Sequence, residues 1–407
     1  MGRLIMRKIF KIIFVATLFI CFTCIEEIEL ETQAFESVLV VEGTITNEFK
    51  FQEIKLSRTY LLEGNEQKLE NNANVQILDS QGNTYHFTQN TEGKYVSNIE
   101  FEASQNMSYK LFITTKNGKQ YQSLETNLTP ISQINSLYAI YSDDQGVQIF
   151  VNSENDINGA QYFRYEYEET HKIVVPYYSS LNAIISNVQN FGQEYEIRLE
   201  PKTVDQRTCY TTNASIGIIQ TSTNQLDNNV VERFVVRTLD KRNSLLRERY
   251  SILVKQYVQS FEAYNYYKII KELGINESLL SESQPGYNVG NIESINNKNE
   301  KIAGYFEVAS VSSKRLFFNY FDVGIPQPKY PFDCEYRTDE TEVLNLNINH
   351  LILKYNYLDQ RAKLYERLSF DNYKYLSGGF DTYKIVSPQC GDCTSFSSNI
   401  KPEFWQE

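Results

Sequence analysis

The sequence is poor in the residues that most often carry metal or reaction chemistry, with three histidines, three methionines and one tryptophan in 407 residues. His86, His171 and His350 stand far apart, so no closely spaced ligand pair arises from them, and they read as surface or satisfied core residues. No Gly-x-Ser-x-Gly elbow, phosphate-binding glycine loop or His-Glu-x-x-His occurs, which removes the usual signatures of serine hydrolases, P-loop enzymes and zinc proteases. The chain is therefore read as a non-enzyme that needs no cofactor. Trp405, the sole tryptophan, is too little for a carbohydrate-stacking platform. Long hydrophobic runs are missing too. The longest, over 12–22, is about half of the ~20 apolar residues that span a bilayer. No internal repeat is present, and length suggests two or three domains.

Basic charge is also in deficit, with 39 Lys and Arg against 51 Asp and Glu and a formal net charge of −12. Such a surface repels phosphate backbones, so nucleic-acid binding is not expected. The abundance lies in aromatics, with 30 Tyr and 24 Phe. Their bulk suits a pleated, half-buried surface and favours strands.

Residues 1–23 have the layout of a signal peptide, with Arg3, Arg7, Lys8 and Lys11 ahead of the apolar run. Met6 is a second possible start. Removing this segment, which holds no acid, takes the charge to −16. The run ends at Cys21-Phe22-Thr23-Cys24, which resembles a bacterial lipobox with Cys24 as the acylated residue, palmitate being an expected chain. Thr23 and Cys21 depart from the usual small residue and Leu. Cys21 is the rival site, and a plain signal peptide with Cys24 as a stray thiol is the alternative. The acidic stretch Glu26-Glu27-Ile28-Glu29 resembles a surface-export signal of Bacteroidetes lipoproteins. Two or more acyl chains, at ~0.8 kcal/mol per buried CH₂, hold a protein stably on a membrane.

Residues 24–130 read as a first β-sandwich. A buried strand over 38–43 closes on Gly43. Hairpins are predicted around Ser80-Gln81-Gly82-Asn83 and Lys116-Asn117-Gly118-Lys119, where Asn and Gly accept positive φ. Thr129-Pro130 marks a junction, and 131–320 reads as a second sandwich. Its strand candidates are 134–141, 147–151, 161–167 and 172–175, then 230–238 and 248–258 as a pair around Asp240-Lys241-Arg242-Asn243. Ser260 caps a predicted inserted helix over 260–274, with Glu262 in its first turn and Gly274 closing it. The polar stretch 276–301 reads as a loop and 304–320 as strand. Residues 321–407 form a mixed segment packed on the second module, with a short helix over 358–368 and a turn at Gly378-Gly379. The expected fold is mainly β, as tandem immunoglobulin/fibronectin-like sandwiches with one inserted helix.

Cys209, Cys334, Cys390 and Cys393 are an even set in an exported chain and read as disulfides, with three possible connectivities. A Cys390–Cys393 redox pair or a metal site are the alternatives. The first is disfavoured by the poor helix former Thr394-Ser395-Phe396-Ser397 that follows, the second by the isolation of Cys209 and Cys334. The acid pairs Asp143-Asp144 and Glu168-Glu169 lack calcium-loop spacing, and Asp143 to Gly146 fits a hairpin turn. The alternating stretch Tyr162-Phe163-Arg164-Tyr165-Glu166-Tyr167 reads as core and cross-strand packing before ligand stacking.

Cys390-x-x-Cys393 followed by Lys401-Pro402-Glu403-Phe404-Trp405 is distinctive. With Val40-Val41-Glu42-Gly43, Leu56-Ser57-Arg58-Thr59, Cys209-Tyr210 and the helix from Ser260, it resembles the domain-of-unknown-function 4249 family of Bacteroidetes lipoproteins, from Cys24 to the C-terminus. Members resemble companions of TonB-dependent outer-membrane receptors. The resemblance implies an accessory lipoprotein on the cell surface that captures a ligand or covers the receptor's mouth, and it implies no active site. A surface adhesin or a carboxylate-dependent hydrolase are the other readings.

Overall fold

The structure is a computed structural model that describes residues 37–59, 68–154, 159–226, 230–276, 290–334, 342–345, 353–379 and 382–407. The signal segment, Cys24, His350 and half of the expected loop at 276–301 lie outside these residues. The protein is mainly β, built as several packed sheets.

The first sheet holds eleven strands, and along its main path the order starts at Ile292–Ser294, Gln120–Ser123 and Ser108–Thr114 and ends at Glu53–Arg58, Leu39–Thr46 and Ile302–Ala309. In Leu39–Thr46 the side chains of Leu39, Val41 and Ile45 alternate into the core, as period two requires. The predicted turn at 80–83 joins Asn74–Asp79 to Thr84–Gln89, and Asp79 accepts from the Gln81 and Asn83 amides at 2.9 Å each. Gly82 there takes φ of +89°. The two ends of the sheet meet at Asn291, whose amide donates to the Phe306 carbonyl (2.7 Å) and whose oxygen accepts from the Phe306 amide (2.8 Å).

This sheet corrects the expected module boundary. Ile292–Ser294 and Ile302–Ala309 belong to the first body, and Ile302–Ala309 pairs in parallel with Leu39–Thr46. The run expected over 304–320 breaks at Ser310 and continues as Val311–Phe318 in a different sheet. Ser310 is locked at this crossing, its amide donating to Thr129 Oγ1 (2.8 Å) and its hydroxyl to the Pro130 carbonyl (2.5 Å). A strand that changes sheets interlocks the two bodies.

The second body packs Gln133–Ser142, Gly146–Glu154 and Val230–Leu239 against a five-stranded sheet of Thr208–Ala214, Tyr162–Val174, Tyr250–Val258, Val311–Phe318 and Ile219–Ser222. Ile149, Val151, Phe163, Tyr165 and Ile252 lie in the shared core. The two segments expected over 161–167 and 172–175 are one strand, Tyr162–Val174. Val230–Leu239 and Tyr250–Val258 are not a hairpin pair, because they lie in opposite sheets. The connection between them includes the turn Ser244–Leu246 with Leu246 fully buried, and it crosses the core gap of about 10 Å between packed sheets.

The hairpin Leu181–Gln189 and Glu194–Pro201 packs with the helix Leu353–Ser369 and a sheet of Glu342–Asn345, Thr382–Val386 and Lys374–Gly379. Gly378 and Gly379 thus end a strand instead of forming a turn. Beyond it the C-terminal residues cover the five-stranded sheet. Ser398 bridges Tyr210, and Trp405 wedges between Tyr210 and Phe317 at ring distances of 5.0 and 5.7 Å.

Candidate functional site

The four expected cysteines come together in one buried cluster with Ile173, Val175, Tyr330 and Val386. They form Cys209–Cys393 and Cys334–Cys390. Cys390 and Cys393 therefore bond to separate partners, which excludes their acting as a dithiol pair. The cluster pins the C-terminal segment to the strand carrying Cys209, and its role is structural.

The other expected residues do not converge. His86 is exposed on its strand, whereas His171 is half-buried and its Nδ1, fully enclosed, has no hydrogen-bond partner among the described residues. Burial pushes the His171 imidazole down to about 4. Among the described residues no group of three or more His, Cys, Asp or Glu is placed to hold a metal. Asp143 sits at the tip of the predicted hairpin and pairs with Lys241 at 3.4 Å. Glu169 is buried, accepts two hydrogen bonds from Arg237 (3.0 and 2.9 Å) and one from the Tyr250 hydroxyl (2.6 Å), and so ties the two sheets of the second body together.

A further site was not among the sequence candidates. It is a cleft of about 610 Å³ where the two bodies meet. One wall is the outer face of Leu39–Thr46 and Glu53–Arg58. The other is formed by Arg164, Glu166 and Tyr257 of the second body and by Tyr266, Tyr267 and Ile270 of the helix Phe261–Asn276. The helix starts where expected but runs through Gly274, which was expected to close it, to Asn276. Ser260 Oγ accepts from the Ala263 amide (3.1 Å), Glu262 lies in the first turn, and Phe261 and Tyr264 pack on Tyr162. That leaves Tyr266 and Tyr267 facing Tyr305 of the first sheet, and the Tyr266 hydroxyl accepts from the Gly304 amide at 2.9 Å.

Arg164 is the centre of the cleft floor. Its residue is 8% exposed. The guanidinium donates to Glu307 at 3.2 Å and to Glu166, and lies over the rings of Tyr257 (4.4 Å) and Tyr267 (5.1 Å). Glu307 in turn accepts from Gln259 at 3.1 Å. Burial opposes the Arg164 charge, yet Glu307, Tyr267 and Glu166 together raise its pKa above the ordinary guanidinium value. Burial and the neighbouring Glu166 likewise push the Tyr257 phenol up, so it stays neutral and donates a hydrogen bond to Glu166 at 3.2 Å. Arg164 Nε, however, is buried with no hydrogen-bond partner among the described residues.

Two features of the sequence mark this place. In Tyr162 to Tyr167 the odd positions fill the core as expected, and alternation turns Arg164 and Glu166 to the other face, into the cleft. Glu307 is the one charge in the apolar run Ile302–Ala309 and is 1% exposed. Such a charge is sustained only by a partner.

A family model described as "Domain of unknown function (DUF4249)" matches residues 25–315. The match contains every cleft residue and ends before Cys334, Cys390 and Cys393, short of the C-terminus to which the sequence resemblance ran. No curated protein matches the chain.

Proposed function

From its membership of the DUF4249 family, to which the chain belongs, we propose that this protein is a ligand-binding accessory lipoprotein of the outer membrane, anchored through Cys24 on the cell surface and partnered with a TonB-dependent receptor. The observation that carries the binding role is the cleft between the bodies. Its volume, about 610 Å³, lies within the ~300–1,000 Å³ of small-molecule sites. Its walls come from two bodies that are locked by the Arg164–Glu307 pair and the Ser310 crossing, so the site is held in shape before a ligand arrives. The export-type leader and the acidic stretch after Cys24 support the address. The family resemblance supports the receptor.

In this reading the anchor keeps the cleft near the membrane and the receptor accepts what the cleft collects. The test is a mild-detergent pull-down of the tagged native lipoprotein with mass spectrometry, beside a Cys24→Ala variant. A stoichiometric TonB-dependent receptor with wild type, and loss of both membrane association and receptor in the variant, is the expected result. Recovery of wild type alone, or of an intact complex from the variant, would overturn the partnership or the anchor respectively.

A further inference from the structure

The outer face of the three-stranded sheet in the second body carries a second site, apart from the cleft and independent of the role proposed for it. We infer that this face binds a neutral saccharide.

The site is made by irregularities of the sheet. Ile134 pairs with Ser153 and Ser136 with Asn152, so Asn135 is an extra residue in Gln133–Ser142. On the other side Val151 pairs with Phe234 and Ser153 with Val231, so Glu232 and Arg233 together stand opposite Asn152. Two bulges thus flank the same level of Gly146–Glu154. A depression of about 400 Å³ lies there, lined by Asn135, Ser136, Tyr138, Asn152, Glu232 and Arg233. A bulge gives up regular pairing and re-aims a side chain, and bulges gather at functional sites.

The second bulge is also strained. Arg233 holds a φ of +51°, a left-handed conformation that a long side chain adopts at a cost. Asn152 Oδ1 fixes it by accepting from the Arg233 amide (2.6 Å), and Asn152 Nδ2 donates to Ser136 Oγ (2.9 Å), so the three strands are tied together at this level. The core does not require the arrangement, because Ile149 and Val151 fill it from the other face and alternation turns Phe150 outward. Its effect is on the outer face. The Arg233 guanidinium lies 5.0 Å over the Phe150 ring, and Tyr138 stacks on the same ring at 5.5 Å and 21°. Phe150 is buried beneath them, which leaves Tyr138 and Arg233 as the groups a ligand meets.

The ligand class follows from what the lining offers. Asn135 and Ser136 carry neutral hydrogen-bonding groups, and Tyr138 a ring with a hydroxyl. Glu232 and Arg233 are exposed, adjacent and without an ion-pair partner among the described residues. A carboxylate that only accepts, beside a guanidinium that only donates, matches neighbouring sugar hydroxyls, each of which does both. The negative face of an aromatic ring takes the polarised C–H groups of a sugar face. Trp405 has no part in this, being wedged between Tyr210 and Phe317, and Tyr138 supplies the ring. An anionic ligand would be repelled by Glu232 and by a chain of net charge −12. Val230 and Val231 are the only aliphatic residues of the lining, too few for an apolar ligand.

The test is a glycan array probed with the purified full chain, followed by calorimetric titration of the best-bound neutral glycan and of glycylglycine, a zwitterion that could also satisfy Glu232 and Arg233. The neutral glycan is expected to bind saturably and at least tenfold more tightly than glycylglycine. Arg233→Asn keeps a residue that tolerates positive φ and removes the guanidinium. Tyr138→Leu keeps apolar cover for Phe150 and removes the ring. Each is expected to unfold in urea near the wild-type midpoint and to weaken the glycan at least tenfold. Binding of no neutral glycan, glycylglycine bound as tightly, or wild-type affinity in either folded variant would overturn the inference.

Discussion

Removing Glu169 should cost the fold more than any exposed charge, and the structure says how much. Glu169 lies on Tyr162–Val174 in the five-stranded sheet, while its main partner Arg237 lies on Val230–Leu239 in the facing sheet. The Glu169 side chain is 7% exposed and that of Arg237 27%. In Glu169→Ala the guanidinium loses both its bonds and the fully buried Tyr250 loses its acceptor. An orphaned buried hydroxyl costs about 1–3 kcal/mol and a broken buried pair about 3–5 kcal/mol, so the variant is expected to lose about 3–5 kcal/mol in all, part of the charge penalty being relieved by water at Arg237. Arg237→Met should cost a similar ~3–5 kcal/mol, because it strands a carboxylate with one donor. Combining Glu169→Ala with Arg237→Met removes both charges and should recover roughly 2 kcal/mol relative to the sum of the single losses. Urea unfolding followed by circular dichroism measures each corner of the cycle. A coupling below about 0.5 kcal/mol would mean that the pair does not bridge the sheets, and would sink the two-sheet arrangement of the second body.

His171 should make the protein acid-sensitive: its folded pKa, about 4, lies below the ordinary 6.5, so the unfolded chain takes the proton first. Its contribution is therefore complete above pH ~6.5 and is lost as pH falls toward 4, a total of about 3 kcal/mol, and a His171→Gln variant should show a shallower fall in urea midpoint between pH 7 and 4. Replacing Cys209, Cys334, Cys390 and Cys393 together by Ser should free the C-terminal segment while leaving the sheets intact; Trp405 is the only tryptophan and is 6% exposed, so its emission should move to the red with far-ultraviolet dichroism retained, and an unmoved spectrum would show that packing alone holds the segment.

The elements that depend on local patterning were legible in the sequence. Asp79 to Asn83, the hairpin tip at Asp143 to Gly146 and the helix after Ser260 form where turn and cap chemistry place them, because each is set by residues two to four positions apart. The stretch Tyr162 to Tyr167 was likewise legible as strand packing. Alternation did not reveal which strands share a sheet. Both Val230–Leu239 and Tyr250–Val258 bury one face in the same core, and a polar connection between two such strands reads alike whether it closes a hairpin or crosses a sandwich. The four cysteines were legible as disulfides but not in their pairing, since Cys209 and Cys393 are 184 residues apart.

The cleft was illegible for a related reason, and that reason bears on how it works. Its parts come from Leu39–Thr46, Tyr162–Val174, Phe261–Asn276 and Ile302–Ala309, brought together by a parallel pairing that no tight turn announces. The only trace each partner left was a charge out of place, Arg164 among aromatics and Glu307 among aliphatics, and neither charge is intelligible until the other stands beside it. A buried ion pair is a poor source of stability compared with apolar side chains of the same size. What this pair supplies is position. Glu307 holds the guanidinium in one place, Tyr257 and Tyr267 cover it, and Arg164 Nε is left unmatched among the described residues. An apolar replacement would hold the two bodies together as well, but would leave the cleft without a directed polar group.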